Sequence, residues 1–155
     1  MNRPLLIALA LCFAAGAALA AAAKPADYLA TARGRIHLGD NPLDTIRGWS
    51  DGRDCKSRFQ MKAPDGPVVR WTLDWKKVRT VQISTRRHFI TDVEEKTYQE
   101  QPGLILYGFQ TSSATLPDGT DVKFDNIELF LKDPSKEDYA FRALQAYAQA
   151  CRAKR

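Results

Sequence analysis

The chain has 155 residues, of which 23 are basic and 18 acidic, so its formal net charge is +5 at neutral pH. Hydrophobic residues make up 45% of the sequence, which is typical of a globular protein and excludes a chain disordered throughout. A positive charge of this size permits attraction to an acidic surface. Nucleic-acid binders usually carry far more concentrated basic charge, so we do not expect a nucleic-acid partner.

Residues 1–20 have the pattern of an export signal. Arg3 supplies the positive charge, an apolar stretch follows, and Ala18-Leu19-Ala20 gives the small residues that precede a cleavage site. We predict cleavage after Ala20, with Ala22 and Ala23 as alternative positions. The protein is therefore expected to be periplasmic or secreted.

Two other interpretations of the leader are weaker. Cys12 is not expected to carry a lipid, because Leu11 stands where a lipobox has a small residue. An uncleaved membrane anchor is less favoured because the stretch is mostly alanine, which is weakly apolar, although its length is close to that of a span. We expect no transmembrane span after cleavage.

Cleavage after Ala20 would leave 135 residues, enough for one domain with its own core. Removing Arg3 leaves 22 basic and 18 acidic residues, a net charge of +4. The alanine-rich residues 21–33 are predicted to form a flexible N-terminal lead outside the core. Residues 34–155 are predicted to form a single globular domain.

Most of this domain has the pattern of short strands. The clearest alternation predicts an antiparallel hairpin of two strands joined by the turn Ala63-Pro64-Asp65-Gly66-Pro67, and Gln101-Pro102-Gly103 is interpreted as a break between two later strands. The predicted strands are Arg35–Leu38, Cys55–Lys62, Val69–Trp75, Val78–Ser84, His88–Val93, Lys96–Gln99, Leu104–Phe109, Val122–Phe124 and Ile127–Lys132.

The chain is predicted to end in one amphipathic helix. Asp133-Pro134-Ser135 supplies an N-cap and a proline at the first helical position, and small or apolar residues then recur at helical spacing as far as Cys151. Once Cys12 is removed with the leader, Cys55 and Cys151 are the remaining cysteines of an exported chain. We therefore predict a Cys55–Cys151 disulfide between a strand and the last helical turn.

The order of these elements resembles a known architecture. The strand from Trp71 to Val78, and Phe130-Leu131-Lys132-Asp133 running into Ala143-Leu144 and Cys151, are similar to the pleckstrin-homology-like domains of some small exported bacterial proteins. The resemblance implies an α+β fold: an antiparallel sheet or partly closed barrel of six to seven strands, with one C-terminal amphipathic helix packed on it. It also favours a binding role, but it assigns no site residues.

The candidate binding site is a run of basic residues between positions 56 and 87, offset there only by Asp65 and Asp74. Such a run is either an ordinary solvated sheet face or a surface that docks an acidic protein or anionic lipid headgroups. The predicted basic residues are Lys56, Arg58, Lys62, Arg70, Lys76, Lys77, Arg79, Arg86 and Arg87.

Catalytic and metal-binding patterns are weak. His37 and His88 are the only histidines, and Ser112-Ser113 is interpreted as part of a polar loop without a nearby base. Asp51-Gly52-Arg53-Asp54 and Asp118-Gly119-Thr120-Asp121 lack the alternating acids of a calcium loop and are interpreted as turns. We expect no metal and no cofactor.

The leading hypothesis is therefore an exported, non-enzymatic binding protein that engages another protein or an anionic envelope component, in the manner of an inhibitor or immunity protein. One alternative is a carrier of lipid or of an apolar ligand, with a pocket lined by Trp71, Trp75, Tyr107 and Phe109. A second alternative is a hydrolase with an unrecognised site that uses His37 or His88. The sequence leaves the oligomeric state open.

Overall fold

The computed structural model describes residues 23–35, 44–62, 66–91 and 96–154, with the backbone alone described for 35, 44, 84–91 and 96–102. The predicted export signal, the Pro64-Asp65 turn and His37 lie outside these ranges. The strands are β1 (Arg33–Arg35), β2 (Asp44–Asp51), β3 (Lys56–Lys62), β4 (Val68–Asp74), β5 (Thr80–Thr91), β6 (Lys96–Thr115) and β7 (Asp121–Phe130). The helices are α1 (Ala26–Leu29) and α2 (Glu137–Ala153), and a 3₁₀ turn at Pro134–Lys136 leads into α2.

All strand pairings are antiparallel, and they join the seven strands into one sheet in the order β4-β3-β2-β1-β7-β6-β5. The far end of β6 also pairs with β4, so that the sheet bends into a partial ring without becoming a barrel. With α2 packed on this sheet, the predicted α+β fold class is confirmed. The predicted β3–β4 hairpin is confirmed as well, with Phe59 directly opposite Trp71.

The core lies on the concave side of the sheet and is built by strand alternation. In β3, Ser57, Phe59 and Met61 are buried, whereas the intervening side chains are exposed or half-buried. Aromatic rings cross this face, with Phe59 stacked on Trp49 at 4.5 Å between ring centroids and on Trp71 at 6.4 Å. Because side chains alternate between the two faces of a strand, the residues between the buried ones project from the opposite face of the sheet.

Helix α2 closes one side of the core, as its apolar spacing predicts. The predicted cap residue Asp133 accepts a hydrogen bond from the backbone N of Ser135 at 3.1 Å and caps the 3₁₀ turn that leads into α2. The buried residues of α2 are Ala140, Leu144, Ala148 and Cys151.

The predicted Cys55–Cys151 disulfide is present, with the two Cα atoms 5.7 Å apart and a sequence separation of 96 between the cysteines. Cys55 lies one residue before β3 rather than inside a strand, with a φ of 61°. Its backbone is nevertheless held on both sides, since its N donates to the carbonyl of Gly52 and its carbonyl accepts from Trp75.

Three expectations about the elements need correction. The described part of the predicted lead, residues 23–33, is not merely outside the core, because Leu29 and Ala32 are buried within it and β1 begins at Arg33. Strand β2 was not predicted, since Gly48 interrupts its alternation with a φ of 62°. The later strand pairs are single long strands: the whole of β5 pairs with residues 96–107 of β6, straight through the Pro102-Gly103 predicted as a break.

Gly103 has a structural reason to stand in a strand. A Cβ on this residue would lie 2.6 Å from a ring atom of Phe130, its partner on β7, so the ring of Phe130 packs where a side chain would otherwise be. The glycine that looks like a turn signal in the sequence is therefore a site of close packing.

Candidate basic surface

The outer side of the β3–β4 hairpin carries cations. Lys56, Arg58 and Lys62 alternate with the buried residues of β3, and Arg70 is exposed on β4 beside the buried Trp71. The sequence predicts these four residues on one face, and the burial pattern places them there. Their position follows from packing, because the apolar alternates of both strands are taken up by the core.

Strand register adds two cations that sequence reasoning missed. Arg47 on β2 lies opposite Gln60, which in turn lies opposite Arg70, and directly paired residues project to the same side of a sheet. Arg58 lies opposite Thr72, Thr72 lies opposite Ser113, and Ser113 lies opposite Lys123 on β7. Lys123 therefore projects to the same side of the sheet as Arg58. We call this set the basic face. Lys56 is half-buried in it and the others are exposed: Arg47, Lys56, Arg58, Lys62, Arg70 and Lys123.

The spacing of these cations follows from sheet geometry. Neighbouring strands lie about 4.8 Å apart, so Arg47 and Arg70, two strands apart, have backbones separated by roughly 10 Å. Lys123 lies three strands from Arg58, or roughly 14 Å. The charges are therefore distributed over an area suited to a macromolecular surface rather than focused on a single point.

Part of the charge is neutralised within the chain. The guanidinium of Arg58 forms an ion pair of 2.6 Å with Asp54, and this hydrogen bond lowers the pKa of the Asp54 carboxyl below its usual value. Asp74 lies directly opposite Lys56. Arg70 lies opposite Thr115, which lies opposite Asp121 and donates a hydrogen bond to it. Among the described residues, no ion pair involves Arg47, Lys62 or Arg70.

At one edge of the basic face, a small depression of about 100 Å³ lies against a bend in β6. Lys56, Lys77 and Lys123 line it together with Asp74 and Gln110, whose φ of 49° marks the irregular point of the strand. We call it the bulge depression. It brings Lys77, which belongs to the connection after β4, next to two cations of the sheet.

Gly108 allows this connection to lie so close to β6. A Cβ on Gly108 would lie 1.9 Å from the backbone carbonyl oxygen of Lys77, so no other residue fits there without a shift of the chain. The Thr111 hydroxyl donates to the Gly108 carbonyl at 2.6 Å, and the Gln110 N donates to Asp125 at 2.8 Å. These bonds hold the bend that shapes the depression.

The other predicted basic residues are not brought to the basic face. Lys76 and Arg79 are exposed in the connection between β4 and β5. Arg86 and Arg87 belong to β5, where the backbone alone is described. The run of nine basic residues is therefore divided between the β3–β4 hairpin, the following connection and β5.

The residues proposed for a carrier pocket do not share one lining. Trp71 and Trp75 are buried in the packed core, whereas Phe109 is 76% exposed. The indole N of Trp75 donates to the Ser57 hydroxyl at 2.7 Å, and its ring meets that of Tyr147 edge-on at 5.3 Å. Trp75 is therefore held in place by packing and hydrogen bonding within the core.

The candidate catalytic residues also change place. Ser112 and Ser113 lie within β6 rather than in a polar loop, and Ser112 is only 1% exposed. His88 lies in β5, where the backbone alone is described. Asp118-Gly119 forms the predicted turn, with Gly119 at a φ of 87° and Asp118 accepting from the N of Thr120.

Within the described ranges, no group of three His, Cys, Asp or Glu side chains is arranged to hold a metal ion. The helices of this same part of the chain include none long and apolar enough to cross a membrane. Comparison with protein-family models, with curated proteins and with solved structures finds no match to this chain. The pleckstrin-homology-like resemblance therefore stays a prediction.

Proposed function

We propose that this chain is an exported, non-enzymatic binding protein that uses the basic face to dock an acidic surface of a partner protein. The observation that carries the proposal is the exposed position of Arg47, Lys62 and Arg70 on one sheet face, without an ion pair among the described residues. A rigid sheet holds these charges at fixed spacing, which favours a complementary arrangement of carboxylates.

The disulfide supports export, since such crosslinks persist in oxidising compartments. An inhibitor or immunity protein is the most specific form of this proposal. It would cover the acidic surface of an enzyme in the same compartment and thereby block access to its substrate. The sheet supplies the rigid, preorganised surface that such an inhibitor needs.

Affinity capture from the envelope fraction of the source cells tests the proposal. The tagged protein should retain a protein partner at low salt and release it at high salt, because screening weakens attraction between exposed charges. The double variant Lys62→Glu/Arg70→Glu should lose the partner at both salt concentrations, with association slowed about tenfold or more.

The matched control is Arg142→Glu/Lys154→Glu, which changes the net charge equally at exposed positions of α2 and its C-terminus. It should retain the partner as the unmodified protein does. Thermal unfolding must be unchanged in both variants. Equal capture by the face variant and the control would overturn the proposal, and so would a partner retained equally at every salt concentration. Loss of activity of a captured enzyme would identify the protein as an inhibitor.

A further inference from the structure

A larger cavity lies away from the bulge depression, where the segment after α1, the start of β1 and the start of β2 meet the end of β7. Its volume is about 480 Å³, within the range of small-molecule sites. Its lining includes the apolar residues Ile46, Phe130 and Leu131 and the cations Arg33, Arg47 and Lys132. We call it the α1–β1 groove.

The charge in this groove has one sign. Its lining contains three cations and no acidic residue. Arg33 lies opposite Thr45, two positions before Arg47 on the neighbouring strand, so both guanidinium groups belong to the same side of the sheet. None of the three cations forms an ion pair within the described part of the chain.

The groove continues into a second cavity of about 360 Å³, with which it shares Thr31, Leu131 and Lys132. This continuation passes Tyr28 and reaches Pro134 at the start of the 3₁₀ turn. The two cavities therefore adjoin, and apolar residues belong to the lining of both.

The two acidic residues that line these cavities, Asp27 and Asp133, belong to the second cavity, and both have partners in the chain. Asp27 accepts from the backbone N of Lys24 at 2.8 Å. Asp133 accepts from Ser135 and lies 4.0 Å from the ammonium of Lys136. The uncompensated positive end is consequently the Arg33–Arg47 end, and the opposite end is close to neutral.

We propose that the α1–β1 groove binds a single-chain amphiphile with a carboxylate head, such as a fatty-acid anion. The carboxylate would lie between Arg33 and Arg47, because a planar guanidinium pairs with a carboxylate through two parallel hydrogen bonds. The alkyl tail would run past Leu131 and Tyr28 into the continuation. This site is distinct from the proposed docking of a protein on the basic face and shares only Arg47 with it.

Calorimetric titration with decanoate, decanol and acetate as probes tests this inference. The protein is produced from the full sequence and freed of bound lipid before the titration. Decanoate should bind at one site. Decanol lacks the charge and acetate lacks the tail, so each should bind at least about tenfold more weakly. Arg33→Gln should weaken decanoate about tenfold while leaving decanol unchanged.

Arg70→Gln is the matched control, since Arg70 lies on the basic face but not in the groove. It should leave decanoate binding unchanged and weaken partner capture, so that the two proposals fail or succeed separately. Three results would overturn the inference: no binding of decanoate, equal affinity for decanoate and decanol, or preference for anionic lipid vesicles over monomeric decanoate.

Discussion

The hydroxyl of Ser57 donates a hydrogen bond of 2.5 Å to Asp51, and this bond links β3 to the last residue of β2 inside the fold. The same carboxylate accepts from the indole N of Trp49 at 2.9 Å and from the backbone N of Ala26 at 2.8 Å. Asp51 therefore connects α1 to the sheet, and Trp75 extends the chain of bonds through Ser57.

Replacing Asp51 should be among the most destabilising changes to a charged residue. Asp51→Ala would leave three donors without their acceptor, which we expect to lower the free energy of unfolding by about 3 kcal/mol. Asp51→Asn keeps the shape and one amide oxygen, so it should cost about half as much. Urea denaturation at neutral pH measures both. Equal stability of the alanine variant and the unmodified protein would show that these bonds contribute nothing to folding.

The disulfide should contribute about 4 kcal/mol, since it closes a long loop in the unfolded chain. Cys55 also has a left-handed backbone, which favours glycine over any residue with a Cβ. In a Cys151→Ala background, Cys55→Gly should therefore be about 1 kcal/mol more stable than Cys55→Ala. Chemical denaturation of the two double variants gives the difference directly. The reverse order would mean that the backbone relaxes once the crosslink is gone.

Two glycines offer a matched test of close packing against backbone strain. A Cβ at Gly108 would collide with the Lys77 carbonyl, whereas a Cβ at Gly48 would meet nothing within 4 Å. We expect Gly108→Ala to cost about 3 kcal/mol, and Gly48→Ala about 1 kcal/mol from its positive φ alone. Thermal unfolding compares them. Similar losses for the two variants would mean that the Lys77 connection moves freely away from β6.

Stability at alkaline pH should depend on Tyr147. Burial, with a smaller effect from the carboxylates of Asp51 and Asp54, raises the pKa of this phenol above its ordinary value of 10.0. The folded state thus keeps the proton more tightly than the unfolded chain. The resulting stabilisation is complete below the unfolded pKa and is lost as the pH rises through the folded pKa.

Tyr147→Phe retains the ring that meets Trp75 and removes the titrating group, so its stability should fall less steeply than that of the unmodified protein above about pH 10. Tyr139→Phe is the control, because Tyr139 is 71% exposed. Urea denaturation at a series of alkaline pH values gives the two slopes. Identical slopes for Tyr147→Phe and the unmodified protein would contradict the assignment.

Sequence patterns within a single strand or helix predicted the elements that residues close together in the chain determine. The β3–β4 hairpin follows from alternation, and α2 follows from its helical spacing and from the Asp133 cap of the 3₁₀ turn that leads into it. The long strands did not follow, because Pro102 and Gly103 have the composition of a break. What places Gly103 within a strand is the ring of Phe130, 27 positions later in the chain, which no local window includes.

The candidate site was predictable to a similar extent. The sequence shows polar and apolar residues alternating along two adjacent strands. This alternation is why four of the cations share a face: Lys56, Arg58, Lys62 and Arg70. Arg47 and Lys123 join them only through strand register, and β2 itself was hidden by Gly48. The α1–β1 groove depends on contact between segments far apart in the chain, so no local pattern predicts it.

The Cys55–Cys151 bond has a mechanical consequence for the chain. If the molecule is pulled by its two ends, tension passes from Cys55 across the sulfur bridge to Cys151 and bypasses the 95 residues between them. The chain of β3 to β7 and of most of α2 could not be extended, whereas the segment with α1, β1 and β2 could be pulled away from its partner strands. Under tension the oxidised protein should therefore lengthen only by the residues that precede Cys55 and follow Cys151, while the reduced protein can unfold along its whole length.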